Sequence, residues 1–252
     1  MMPLEIPDIV LESPLGRTSP VVKLGVSVAW LVALAFTLDP RPPLLLTAFA
    51  LFAGLGLGRI QPPRLLRGLA PLLVAAAAIG LFNALLSGSN GDPTAPLLVA
   101  AGPLHITASA ASVGLSLAAR ILAIASVGVV FSQTTDSTRL VDGLVRQARL
   151  SPRFGYGALA AYQAIPGFGR DLADLGAARR IRGLRTSWHP RILVGLLVRA
   201  IRHGDALALA MDARGFGYGP RTWFRDLSWG WLDLAMALGG AAALVIAFVA
   251  AR

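Results

Sequence analysis

Two short stretches decide how this chain is read: Ala178-Arg179-Arg180-Ile181-Arg182-Gly183 and Ala210-Met211-Asp212-Ala213-Arg214-Gly215-Phe216. Each closes a run of helical periodicity with an arginine followed at once by a glycine. That is the pattern of a helix C-terminus, where a last-turn cation meets the negative end of the helix dipole and glycine takes the left-handed capping position. One such end is an ordinary stop signal. Two ends of matching layout, set in an arginine-rich amphipathic segment between apolar runs, imply a task beyond ending helices.

Outward from these motifs the chain is strongly apolar. Of its 252 residues 55% are hydrophobic and only 14% charged, and the mean hydropathy is +0.66. These values lie outside ordinary soluble composition and point to a polytopic membrane protein. The net charge of +10 comes from arginine, since Lys23 is the one lysine. Arginines localised to one part of an apolar chain fit cytoplasmic membrane topology, not nucleic-acid binding.

Five apolar runs are expected to span. The first, from about Val21 to Leu38, is broken by Asp39-Pro40-Arg41-Pro42-Pro43, because proline cannot continue a helix. The second, Leu44 to Leu57, is short for the roughly 20 residues that cross a bilayer. A basic loop with Arg59, Arg64 and Arg67 precedes the third, Leu69 to Leu86, and Ser87-Gly88-Ser89-Asn90-Gly91-Asp92-Pro93 follows it with no basic residue. The positive-inside rule puts the basic loop in the cytoplasm and the second loop outside, with the N-terminus inside. The stretch Met1 to Thr18, with Glu5, Asp8 and Glu12, does not resemble a cleaved leader.

The fourth run, Ala108 to Phe131, holds Arg120 near its middle, where an arginine requires a polar contact inside the bundle. Asn83 on the third run is a candidate for that contact. The last run, Trp231 to Ala251, opens with Trp229 and Trp231 as interface anchors and leaves the C-terminus outside. The resulting division is 1–20, a cytoplasmic segment; 21–133, four spans; 134–230, a cytoplasmic module; and 231–252, the closing span.

Within the module Arg139, Arg146, Arg149, Arg153, Arg170, Arg185, Arg191, Arg221 and Arg225 join the motif arginines, interleaved with apolar residues up to about Ser228. This pattern predicts amphipathic helices over about Ser137 to Gln147, Phe154 to Arg182 with a bend at Pro166-Gly167, and Pro190 to Arg214. In the third, Leu193, Leu197, Ile201, Ala208 and Met211 form one apolar stripe, with Arg199, Arg202 and Asp205 on other faces. Asp171 and Asp174 share a helical face and are expected to pair with arginine.

Catalytic chemistry is poorly supplied. There is no cysteine, so disulfides, thiolate metal sites and a cysteine nucleophile are excluded. His105, His189 and His203 are scattered, with no ligand spacing around them. A P-loop needs a lysine after a glycine-rich turn, and Lys23 follows Ser19-Pro20-Val21-Val22. Gly215-Phe216-Gly217-Tyr218-Gly219 follows a helix and precedes Pro220, whereas a dinucleotide fingerprint follows a strand. No catalytic residue, metal ligand or bound cofactor is expected.

With these residues assembled, the chain resembles the transmembrane T component of energy-coupling factor (ECF) transporters, a group that includes permease subunits of cobalt, nickel and vitamin importers. The resemblance rests on Ser13-Pro14-Leu15-Gly16 and Pro20-Val21-Val22-Lys23-Leu24, the Arg120 span, Thr134-Thr135-Asp136 with Leu140-Val141-Asp142-Gly143-Leu144, and both arginine motifs. It implies an all-α integral membrane protein of about five transmembrane helices plus amphipathic cytoplasmic coupling helices, in the bacterial cytoplasmic membrane. Arg182 with Gly183, and Ala213, Arg214 and Gly215, would dock two ABC-type ATPase subunits, with Arg179 beside them. ATP and magnesium would be used by those partners.

The second motif agrees with the family's Ala-Arg-Gly signature, while Ile181 stands in the first where alanine is usual. Leu193, Leu197, Ile201 and Met211 would face a small substrate-binding membrane subunit. Two other readings come from the residues alone: an integral membrane enzyme acting on lipid head groups, and a membrane-surface scaffold whose arginines contact anionic lipid.

Overall fold

The computed structural model describes residues 7–37, 39–91, 96–101, 104–184, 189–219 and 229–250. Expectations that fall on Glu5, Leu38, Asp92, Pro93, Arg185, Arg221, Arg225, Ser228 and Ala251 lie outside the described residues. Two compact units emerge, one formed by Ile6–Asp136 and Ser228–Arg252, the other by Ser137–Leu227 with Met1–Glu5.

The first unit is helical apart from one hairpin. Two single turns, α1 (Asp8–Leu11) and α2 (Pro14–Arg17), lead into α3 (Pro20–Ala35). Ser13 caps α2 by accepting from Gly16 N–H at 2.9 Å. Helix α4 (Arg41–Phe52) follows, then α5 (Pro62–Leu86), an antiparallel hairpin of β1 (Leu97–Ala101) and β2 (Leu104–Thr107), and α6 (Ala108–Thr134). Thr107 caps α6 by accepting from Ala110 N–H.

Two boundaries differ from expectation for the same reason. Proline is tolerated in a first helical turn, where the amide has no partner to lose. So Pro42 and Pro43 open α4 instead of ending the chain's turn, and Pro62 and Pro63 start α5 early enough to carry Arg64 and Arg67 in its first turns. After Phe52 the second apolar run widens into a π-helical turn, Ala53–Leu57, closed by Gly58 N–H to Ala53 O at 2.8 Å.

Among the described residues three helices are long and apolar enough to cross a membrane: α5, α6 and the closing helix of this unit, Trp231–Val249 (α10 below). Of the five expected spans the other two, α3 and Arg41–Leu57, are shorter apolar helices. Large side chains point outward on these helices; Val74, Phe82, Leu238 and Val249 are all more than 60% exposed. Contiguous apolar surface of this kind suits lipid and not water. The protein is an all-α membrane protein with one small hairpin.

Close helix contacts rely on small residues. At the α5–α6 crossing a methyl group on Gly80 would lie 2.9 Å from Gly114 O, and one on Gly114 would lie 2.5 Å from Gly80 O. Only glycine lets the two backbones approach so closely. The deeper core gathers Trp30, Leu34, Leu46, Ala50, Ala123 and Ala247, and the Trp30 indole N–H donates to Gly240 O at 2.9 Å.

The second unit contains α7 (Ser137–Arg146), α8 (Pro152–Ile181) and α9 (Arg191–Ala213), which precede α10 (Trp231–Val249) of the first. Helix α8 runs uninterrupted through Pro166.

Candidate functional site

Both arginine–glycine motifs end their helices with the same backbone hydrogen bonds. In the first, Gly183 N–H donates to Arg180 O at 3.0 Å and Leu184 N–H to Arg179 O at 3.2 Å. In the second, Gly215 N–H donates to Asp212 O and Phe216 N–H to Met211 O, each at 2.9 Å. This pair of crossed bonds is the Schellman arrangement. The glycines have φ +73° and +71°, and neither has an atom within 4 Å of where a Cβ would stand. Backbone conformation alone, not crowding, demands glycine at these positions.

Arg182 and Arg214 are the half-in capping residues, each exposed, with φ −79° and −89°. Neither guanidinium has an ion-pair partner among the described residues. Ala213 and both glycines are also exposed, as is Ile181 at 87%, while Arg179 is half-buried. Each motif therefore offers a planar, five-donor fork at a rigidly terminated helix end.

Helices α8 and α9 run in opposite directions. Gly195 lies opposite Leu175, whose Cδ2 would be 3.4 Å from an added Cβ. Arg199 Nη1 donates to Asp171 Oδ1 at 2.9 Å and lies 3.9 Å from Asp174 Oδ2. Both acidic residues are thus paired with arginine as expected, in an exposed bridge worth about 0–1 kcal/mol.

Further along, the Phe216 ring packs edge-on against Tyr156 with centroids 6.4 Å apart, and Arg153 Nη2 donates to Gly217 O at 3.4 Å. Tyr156 in turn donates to Asp142 Oδ1 at 2.7 Å, tying α7 to the same corner. The second motif is thereby anchored beside the start of α8, and the first lies at its end. From the 1.5 Å rise per residue between Tyr156 and Arg182, the two motifs stand on the order of 40 Å apart.

Along α9, Leu193, Leu197 and Ile201 are exposed by 51%, 60% and 55%, and Val194, Val198 and Leu209 extend the apolar surface. Met211, expected on the same stripe, is half-buried where the helix ends.

In the first unit the expected Arg120–Asn83 contact does not form. Asn83 Nδ2 donates to Ile79 O at 2.9 Å, within its own helix, and Arg120 Nε is buried with no partner. An amide one turn from a carbonyl satisfies itself locally.

The polar contacts that do link helices involve Lys23 and Asp233, to neither of which the sequence assigns a partner. Lys23 Nζ donates to Thr134 O at 2.8 Å, and buried Asp233 accepts from Ser19 N–H at 2.6 Å and from Gly230 N–H at 3.0 Å. The only signal for Asp233 was an acidic residue in the first turn of a span, where it meets the positive helix end. Among the described residues no three His, Cys, Asp or Glu side chains come together as metal ligands.

A family model described as cobalt transport protein, CbiQ, matches residues 12–222. A Bifidobacterium longum protein that carries the name ABC transporter ATP-binding protein is 28% identical over 259 residues, covering 95% of this chain. The match takes up 32% of that relative, so this chain spans about a third of its length. The energy-coupling factor transporter transmembrane protein EcfT of Limosilactobacillus fermentum is 29% identical over 96% of this chain and 94% of its own. The protein of the same name from Bacillus selenitireducens is 28% identical over 93% and 92%.

Proposed function

This chain belongs to the CbiQ cobalt transport protein family, and we propose on that footing that it is the energy-coupling transmembrane subunit of an ECF-type ABC importer for a vitamin or transition-metal ion. It links ATP hydrolysis in two partner ATPases to movement of a small substrate-binding membrane subunit. It binds no ATP itself; ATP and magnesium are used by the partners. It resides in the bacterial cytoplasmic membrane, with Ser137–Leu227 on the cytoplasmic side.

The observation that carries this reading is the pair of like helix ends, Arg182–Gly183 and Arg214–Gly215, with the same capping bonds and exposed arginines that have no ion-pair partner among the described residues. A separation on the order of 40 Å suits one partner at each end, not a single composite site. Each arginine fork pairs bidentately with a partner carboxylate, a contact that transmits displacement without slipping. The similarity of this chain to part of a protein named for ATP binding supports an ATPase partner. The exposed Leu193, Leu197 and Ile201, with Met211 at the far end, supply an apolar surface for the substrate-binding subunit.

The test is co-purification of the detergent-solubilised chain with the ABC ATPases of its own organism. Wild type should retain a pair of ATPases, and the Arg182→Ala/Arg214→Ala double variant should lose them while eluting as a folded species. Equal retention by both would sink the docking role.

A further inference from the structure

In the membrane-embedded unit a cleft of about 740 Å³ opens between α2, α3, the π-helical turn and α10. It falls within the range of small-molecule pockets, about 300–1,000 Å³. Its walls are apolar and aromatic, with Trp30, Phe49, Phe52, Leu57 and Met236 among them, and its charged lining residues are Glu12, Arg17 and Arg59. None of these three has an ion-pair partner among the described residues.

Arg59 is held unusually. Its φ is +49°, in the left-handed region that a residue with a Cβ seldom occupies. The turn that holds it there is fixed on both sides, by Gly58 N–H to Ala53 O at 2.8 Å and Ile60 N–H to Gly54 O at 3.1 Å. Sparsely populated backbone and π-turns concentrate where a side chain must be aimed, and this one delivers a guanidinium to the cleft. Trp231, 77% exposed, also lines the cleft. An exposed tryptophan at a span's start belongs at headgroup depth.

We propose that this cleft binds one anionic glycerophospholipid of the surrounding bilayer, an acyl chain between the aromatic walls and the phosphodiester on Arg17 and Arg59. Two arginines and one carboxylate give the rim a net charge of +1, which matches a head group with a single net negative charge. The arginine forks suit phosphate oxygens, and Glu12 disfavours a doubly charged phosphomonoester.

The probes are phosphatidylglycerol and phosphatidylcholine of identical acyl chains, supplied in equimolar nanodiscs to the purified full chain. Lipid retained after detergent exchange is counted by native mass spectrometry. Wild type should retain one phosphatidylglycerol in preference to phosphatidylcholine, and Arg17→Ala and Arg59→Ala should each reduce that retention about fivefold. Arg67→Ala, which removes a charge outside the cleft, should leave it unchanged.

Gly239 lines the cleft with no atom within 4 Å of an added Cβ, so Gly239→Leu starts from an unobstructed Cβ and should reduce retention of both lipids. Equal retention of the two lipids by wild type would overturn the proposal. So would arginine variants that retain phosphatidylglycerol as wild type does, or wild type that carries a peptide or second copy in place of lipid. Because the readout involves no ATPase, its failure is separable from failure of the docking role.

Discussion

Arg214 is placed by its backbone. With the amides of Gly215 and Phe216 tied to Asp212 O and Met211 O, its side chain leaves a fixed helix end and its charge has no ion-pair partner among the described residues. A lysine there would retain the charge and lose the planar fork. Arg214→Lys is therefore expected to cut substrate uptake by about tenfold or more, the loss of one charge-assisted hydrogen bond, with ATPase co-purification weakened in parallel. Full uptake by this variant would reduce the arginine to a point charge. Both motif ends were legible in the sequence because a cap is written within six residues. Lys23 and Asp233 were not, since their partners Thr134 and Ser19 lie 111 and 214 residues away, and no local pattern encodes a contact at that distance.

At the scale of elements, hydropathy located the spans but not their ends. It marks where apolar residues cluster, whereas a helix starts where its first amides can go unpaired, which is why the prolines before Leu44 and Leu69 proved to be helix starters. In the β1–β2 hairpin, β1 is continuously apolar and only the four residues of β2, Leu104-His105-Ile106-Thr107, alternate, too short a run to mark a strand among apolar spans. Conversely, the α5–α6 crossing depends on glycines whose role only packing reveals. Gly114→Ala would push a methyl group to 2.5 Å from Gly80 O and is expected to cost about 1–3 kcal/mol as overpacking. Gly128→Ala on the same helix meets nothing within 4 Å and should be neutral or slightly stabilising from helix propensity. Thermal unfolding of the two variants in one detergent separates the effects; equal midpoints would show that the crossing tolerates a wider spacing.

For the whole molecule, the sequence supplies its own tool. With no cysteine in the chain, any single introduced thiol reports its position without background. The positive-inside rule leads us to expect that Ser87→Cys reacts with a membrane-impermeant maleimide added to intact cells, while Gln61→Cys reacts only after permeabilisation. The reverse pattern would invert the topology and place the arginine ends away from any cytoplasmic partner. The class of protein was legible from composition, and its family from motifs spread over most of the length. The cargo was not, because on the proposed reading its specificity resides in a different subunit.

The two arginine ends share their capping bonds but not their mountings. The second is braced by Phe216 on Tyr156, Arg153 on Gly217 and Tyr156 on Asp142, whereas the first carries a bulky, 87%-exposed Ile181 in place of the second's alanine. On the proposed docking, two identical ATPase subunits would therefore meet unlike surfaces, one motif packed against an aromatic corner and one that sets a bulky apolar side chain beside its arginine. The two contacts would then differ in strength even where the ATPases are the same, and the coupling chain itself would tell one copy from the other.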